Sequence, residues 1–268
     1  MSSLPPVSQS GSVLVTGASS GIGEQIAREF ARRGYRVVLV ARRADTLTTI
    51  AGDLGRRAHV LPADLTDAAQ RAALPDQVAA LGLTVDVLVN SAGLANLGPV
   101  ARVDAADELR LVELDVAAVV DLSARLVPGM VERGRGAVLN VASVGAFGPV
   151  PFQASYGAAK AFVLSYTEAM RAELRGTGIT AAVLCPGPVR TEFGATAGIP
   201  DEEAEKFLPS FLWETAEAVA RTAVDGLDRG RLIIVPGAPN RVAAVAYRHF
   251  PHRLLLPLLA RGHPGRTT

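Results

Sequence analysis

Apolar runs of four to seven residues alternate with amphipathic stretches along most of the chain. The runs fall near 12–16, 36–40, 58–61, 85–89, 136–141, 179–185 and 231–235 and predict strands. Helices are predicted near 21–33, 44–54, 67–81, 103–131, 155–175 and 214–228. The first shows its period plainly, with Ile22, Ile26 and Phe30 one turn apart. Strand and helix in alternation predict an α/β fold. The expected form is a Rossmann-type doubly wound parallel sheet of about seven strands, with helices on both faces and ligands at the carboxyl ends of the strands. No shift in composition marks a second domain, and no repeat or low-complexity block interrupts the pattern. The expected catalytic domain is 12–238. Met1–Gly11, polar and proline-containing, is expected to be a disordered tail, and 239–268 an apolar, basic extension of the same domain.

Two segments depart from the rhythm. Thr191–Trp213 is glycine-rich, then acidic, then aromatic, with Phe193, Phe207, Phe211 and Trp213. A connection of this length inside a compact domain reads as a lid over a site, or as a surface excursion whose aromatics patch the core. From Asn240 to Arg261, apolar residues are interleaved with Arg241, Arg248, Arg253 and Arg261, and Pro251 and Pro257 are expected to break the segment. No apolar stretch there approaches the ~18 residues of a membrane span. Four placements stay open for this tail: packing on its own domain, packing on a second subunit, covering the substrate mouth, or lying on a membrane surface.

Composition narrows the classes. A length of 268 residues suits one domain with a large core, and a net charge of +1 gives no sign of a nucleic-acid surface. Cys185 is the only cysteine, so there is no disulfide framework and no thiolate metal site. Its place in the apolar run Ile179–Cys185 predicts a buried strand residue. His59, His249, His252 and His263 stand apart from the motifs below, and no metal is expected. The N-terminus has neither a charged n-region nor an apolar h-region, which argues for a cytoplasmic protein, with peripheral membrane contact through the tail left open.

Ser12–Val15 leads into Thr16-Gly17-Ala18-Ser19-Ser20-Gly21-Ile22-Gly23 and then a helix. Glycines let the backbone approach a pyrophosphate, and the amides and dipole of a helix N-terminus favour anions. The spacing is G-x-x-x-G-x-G, and the glycines alone would also suit an ordinary strand-to-helix turn. The strand near 36–40 favours a dinucleotide, because the adenosine ribose would lie at its end. Tyr156 and Lys160 stand four residues apart, on one helix face, with Ser143 thirteen residues upstream of the tyrosine. A nearby cation favours a phenolate over a phenol, so such a tyrosine can trade a proton with a carbonyl or alcohol oxygen. A serine hydroxyl can hold the same oxygen. These groups suit the interconversion of a ketone and an alcohol when a cofactor carries the hydride.

The glycine turn, Asn90-Ser91-Ala92-Gly93, Ser143, Tyr156-x-x-x-Lys160 and Pro186-Gly187-Pro188-Val189-Arg190-Thr191 occur in one order over roughly residues 12–235. Together they resemble the short-chain dehydrogenase/reductase family. The resemblance implies Tyr156 as catalytic acid/base, Lys160 as its tuner and as a hold on the nicotinamide ribose, and Ser143 as the group that polarises the substrate carbonyl. It implies cofactor contacts from Gly17, Ser19, Ser20, Gly21, Ile22 and Gly23, from Asn90, Ala92 and Gly93, and from Pro186, Gly187, Val189 and Thr191. Thr16 and Asn90 would brace the turn and the fourth strand. Asp64 and Leu65 would face the adenine, although Asp64 reads equally as the N-cap of the next helix. A homodimer or homotetramer is implied, paired through the helices near 103–131 and 155–175.

One position departs from the family's pattern. Asp115 stands where the catalytic set has an asparagine. An ionised aspartate only accepts hydrogen bonds, so it is expected to hold a relay water differently or to pair with Lys160. Cofactor choice follows from charge. Leu39-Val40-Ala41-Arg42-Arg43 lacks the acid of an NAD site, and its arginines suit the 2′-phosphate of NADP(H), Arg42 foremost, with NAD(H) the lesser choice. The expectation is an NADP-dependent oxidoreductase acting on a ketone and its secondary alcohol, with a hydrophobic substrate. A catalytically idle NADP-binding regulatory or assembly protein is the alternative. A sugar-nucleotide epimerase is disfavoured, since too little chain follows the seventh strand.

Overall fold

The computed structural model describes residues 2–196, 209–262 and 265. The chain runs β1 (Gly11–Thr16), α1 (Gly21–Arg32), β2 (Arg36–Ala41), α2 (Ala44–Leu54), β3 (Ala58–Pro62), α3 (Ala68–Ala80) and β4 (Thr84–Asn90). It continues through α4 (Ala105–Val112), α5 (Ala118–Glu132), β5 (Gly136–Val141), α6 (Ala154–Glu173) and β6 (Ile179–Leu184). The remaining elements are β7 (Val189–Arg190), α7 (Glu192–Thr196), β8 (Glu214–Thr215), α8 (Ala216–Asp228), β9 (Ile233–Ile234), α9 (Ala238–His249) and α10 (His252–Gly262). Seven strands form one parallel sheet in the order β3-β2-β1-β4-β5-β6-β9. The order reverses between β1 and β4, which opens a crevice at their carboxyl ends.

Alternate residues of each strand feed opposite cores, which is why these strands read as continuous apolar runs. Val13 and Val15 of β1, Val37 and Leu39 of β2, and Val87 and Val89 of β4 pack with α1 and α8. Leu14, Val38, Val40 and Leu88 pack with α3 and α5 on the other face. Helix starts follow local chemistry. Asp67 caps α3 by accepting from the Ala69 and Gln70 amides, Asp104 caps α4, and Thr215 caps α8.

Three features depart from the expectations. The helix expected over 103–131 contains a wide turn at Glu113–Ala117, where backbone bonding loosens to the i→i+5 pattern and carries Asp115 into the interior. The tail forms two helices. Pro251 separates them, but Pro257 lies inside α10 rather than ending it. The first residues lie against the body instead of hanging loose: Leu4 is buried, the Ser3 amide donates to Asp228 O, and the Tyr35 hydroxyl donates to Pro5 O. Phe207 and His263 lie outside the described residues. Cys185, one residue past β6, is fully buried, and burial pushes its thiol up to about 12. Among the described residues no helix is long and apolar enough to cross a membrane, and no cluster of ligating side chains could hold a metal ion.

Candidate active site

The crevice between β1 and β4 is built first from backbone. Gly17 has φ of +65°, and a Cβ there would come within 2.8 Å of Ala92. A Cβ at Gly23 would come within 2.4 Å of the Gly17 carbonyl oxygen, so the turn and α1 close on each other as no larger residues allow. Thr16 ties the turn to the next strand: its hydroxyl oxygen accepts from the Ser91 and Ala92 amides at 2.9 and 3.1 Å and donates to Val89 O. Ser20 occupies the N-cap of α1 but makes no side-chain cap bond, so the first-turn amides keep their affinity for an anion. Gly21 faces Thr191, and Ile22 packs against the core. This uncapped helix start fits a dinucleotide's pyrophosphate.

The adenosine side differs from the expectation in detail. Arg43 rather than Arg42 reaches the glycine turn. Its guanidinium donates to Ser19 Oγ and Ser19 O at 3.1–3.2 Å and pairs with Glu192 at 3.1 Å. Arg42 is exposed and acts on Asp64. Burial pushes the Asp64 carboxyl up, but the Thr66 amide and hydroxyl and the charges of Arg42 and Arg110 outweigh it and hold the group below the usual aspartate value. Asp64 does not cap α3, because Asp67 holds that position and Asp64 instead accepts from Thr66. The Leu65 side chain is core, and its carbonyl accepts from the buried Arg71 at 2.7 Å. No carboxylate stands at Ala41, the last residue of β2. A groove of about 690 Å3 runs along the outer side of the glycine turn past Ser19, Gly21, Arg43 and Thr191, and does not include Asp64, Asn90 or Ala92.

The reacting end converges from three elements. Ser143, just past β5, starts a short turn, and its Oγ accepts from the Gly145 amide at 3.1 Å. That leaves its O–H free to donate. A Cβ at Gly145 would lie 3.5 Å from Ser143 Oγ and 4.0 Å from Tyr156 Cε1, so serine and tyrosine share this glycine as a neighbour. Lys160 Nζ lies 5.6 Å from the Tyr156 ring centroid, and the Phe193 ring, at the start of the expected lid, lies 6.0 Å away on the tyrosine.

Asp115 meets Lys160. Nζ and Oδ2 are 2.9 Å apart, with the side chains 7% and 0% exposed. The contact is off the line of a good hydrogen bond, so the attraction is chiefly charge. Asp115 Oδ1 accepts from the Leu94 amide at 2.7 Å, and Lys160 also reaches Val141 O at 3.3 Å. A Cβ at Gly93 would press on both partners at 3.1–3.2 Å. Burial pushes the Lys160 ammonium down, but the Asp115 carboxylate and the Tyr156 phenol more than offset it and hold the lysine above its ordinary value. Burial pushes the Asp115 carboxyl up, and Lys160 and the Leu94 amide pull it back only in part.

Asn140, Thr167, Asn240 and Glu108 help to position this site and escaped the sequence reading. Asn90 Nδ2 donates to Asn140 Oδ1, Asn140 Nδ2 donates to Thr167, and Thr167 donates to Val163 O, a buried chain beneath the site. Asn240, 2% exposed at the start of α9, fills the space over Gly187 and donates to Leu212 O, while Pro186 O accepts from the Val144 amide. Val189 pairs with Glu214 in a small second sheet. Glu108 accepts from Asn96 and from Ser155, next to Tyr156. A lone polar residue within an apolar strand or helix was the only signal for Asn140 and Asn240.

A parallel doubly wound sheet with an uncapped glycine turn at its switch point and Ser, Tyr and Lys grouped at the next strand ends defines a dinucleotide-binding α/β protein. A family model described as short chain dehydrogenase matches residues 12–201. A short chain dehydrogenase of Pseudocercospora fijiensis is 38% identical over 194 residues, which span 70% of this chain and 62% of that protein. The NADP-dependent 3-hydroxy acid dehydrogenase YdfG of Salmonella typhimurium is 37% identical over 71% of this chain and 78% of its own. The solved structure of a short-chain dehydrogenase from Sphingobium yanoikuyae in complex with NADPH is 34% identical, covers 94% of this chain and 93% of its own, and superposes with a TM-score of 0.77. The chain belongs to the short-chain dehydrogenase/reductase family, whose members are NAD(P)-dependent oxidoreductases of CH–OH groups.

Proposed function

We propose that the protein is an NADP(H)-dependent oxidoreductase that interconverts a ketone and a secondary alcohol. The observation that carries this reading is the approach of Lys160 to within 5.6 Å of the Tyr156 ring, with the free O–H of Ser143 across Gly145. Ser143 donates to the substrate oxygen. In reduction Tyr156 gives a proton to that oxygen as negative charge grows on it, and in oxidation takes it back. Lys160, fixed by Asp115 and Val141 O, holds its ammonium beside the Tyr156 ring. NADP(H), when bound, supplies or accepts the hydride. Gly17 to Gly23, Ala92 and Gly93 would hold its pyrophosphate and nicotinamide ribose, with Lys160 on the ribose. Pro186 to Val189 and Thr191 would face the nicotinamide. Arg43 beside Ser19, with Arg42, would hold the 2′-phosphate. The NADPH complex of the Sphingobium relative supports this choice.

A hydrophobic substrate is the second part of the proposal. Supporting it is an apolar groove of about 890 Å3 between the start of α6 and α10, with Val150 in contact with both Gly145 and Gly157 at its inner wall. The α10 side of this groove lies beyond the matched residues 12–201, so relatives' substrates carry little weight there. The exposed Leu109, Val112 and Phe162 on α4 and α6 support a homo-oligomer paired through these helices. The test is NADPH oxidation against a homologous series of ketones. Turnover that rises with chain length is expected. NADPH binding without turnover of any carbonyl would instead support an idle binding protein.

A further inference from the structure

All 26 acidic residues of the chain lie at or before Asp228. After it come seven arginines and three histidines and no aspartate or glutamate, although the whole chain carries a net charge of only +1. A nearly neutral protein is therefore an acidic body with a strongly basic end. The basic end is also unusually apolar at its surface. α9 touches the body through Asn240, Ala244 and Tyr247, the last donating its hydroxyl to Pro149 O. Its opposite side leaves Val242 70% and Val245 62% exposed. The connection and α10 add Phe250, Leu254 and Leu259, which are 48%, 55% and 38% exposed. Arg241, Arg248, Arg253 and Arg261 are exposed among them, and none has an ion-pair partner among the described residues.

We infer that α9 and α10 form a docking face for an anionic lipid surface. Exposed aliphatic side chains flanked by arginines, on helices too short and too proline-broken to span, match the interfacial mode of membrane binding. The arginines would meet lipid phosphate and carboxylate groups, and Val242, Val245, Phe250 and Leu254 would enter the acyl boundary. Nucleic acid fits less well, since of the exposed apolar side chains named here only Phe250 is aromatic and could stack on a base. The lipid face shares α10 with the proposed substrate groove, whose outer wall includes Arg253, while Val242, Val245, Arg248 and Leu254 lie outside that groove.

The test is cosedimentation of the full-length protein with phosphatidylcholine vesicles, with and without phosphatidylglycerol, at low and high salt. Binding at least tenfold stronger to the anionic vesicles, and loss of that preference in high salt, is expected. Arg248→Glu/Arg253→Glu should lower anionic binding at least tenfold, and Val245→Ser/Leu254→Ser should lower it at either salt concentration. Circular dichroism and NADPH titration check that the variants remain folded. No binding to anionic vesicles, or binding indifferent to both double variants, would overturn the inference. So would a Val245→Ser/Leu254→Ser variant that dissociates an oligomer in sedimentation while retaining full vesicle binding, since the face would then join two copies.

Discussion

Two cation–carboxylate pairs mark the two ends of the crevice, and they share little beyond their length. Lys160 and Asp115 meet at 2.9 Å with side chains almost wholly buried, while Arg43 and Glu192 meet at 3.1 Å with 49% and 67% of theirs exposed. Around the first pair, Leu94 and Val141 supply further hydrogen bonds and Gly93 leaves just enough room. Around the second there is water, which screens the charges and can replace either partner. A buried pair is a fixture, because removing one member strands the other's charge in a dry place. An exposed pair is a latch that a better anion can open. Under the proposed function, the reacting end is held rigid, and Arg43 would exchange Glu192 for the cofactor's 2′-phosphate.

The largest effect is expected at the fixed end. Tyr156→Phe keeps the ring and removes the transferable proton, so kcat should fall by about 10²–10⁴-fold, with NADPH affinity almost unchanged. Rapid-mixing kinetics and a fluorescence titration measure the two separately. A variant that keeps most of its kcat would remove Tyr156 from the chemistry and with it the reason for the pair beside it.

The comparison itself is tested by breaking each pair in the same way. Asp115→Ala leaves the Lys160 ammonium buried and unpaired, which should lower stability by about 3–5 kcal/mol. Glu192→Ala should change it by less than about 1 kcal/mol. Urea denaturation of both variants gives the answer, and equal losses would mean that burial does not distinguish the two pairs. Next in size is the cofactor. Arg43→Ala should weaken NADPH by about ten- to hundred-fold, the loss of one charge-assisted contact of about 1.5–3 kcal/mol, and leave NADH unchanged. Arg42→Ala should do less. A wild-type protein that binds NADH as tightly as NADPH would refute the charge argument altogether.

The same contrast explains what could be read from the chain. Strands such as β1 and β4 were legible because burial on both faces forces an unbroken apolar run, and the glycine turn because backbone contact admits nothing larger at Gly17 and Gly23. The meeting of Asp115 with Lys160 was only one of two expectations, since 45 positions separate them and a widened turn in the intervening helix decides where the carboxylate points. Arg42 and Arg43 are adjacent and alike in sequence, and only the path of the chain after β2 selects which one reaches Ser19. Asn240 was unreadable because its role is to fill space over a glycine 53 positions away. The tail resisted for a different reason: Pro257 sits in α10 without ending it, and a helix this exposed carries little of the core signal that periodicity detects.

The smallest effect sharpens the comparison most, because it asks whether the buried pair does more than hold the fold. Asp115→Asn keeps the shape and removes the charge. In the native pair the carboxylate favours the Lys160 ammonium, which it helps hold above its ordinary value. Without it the ammonium should lose its proton at lower pH, which brings the falling limb of the rate profile down. The falling limb of the oxidation profile should therefore shift toward acid. Ketone reduction should remain active. The measurement is kcat/KM against pH in both directions for the two proteins. A structural role alone would lower the rate at every pH without moving the limbs, and superimposable profiles would confine Asp115 to that role.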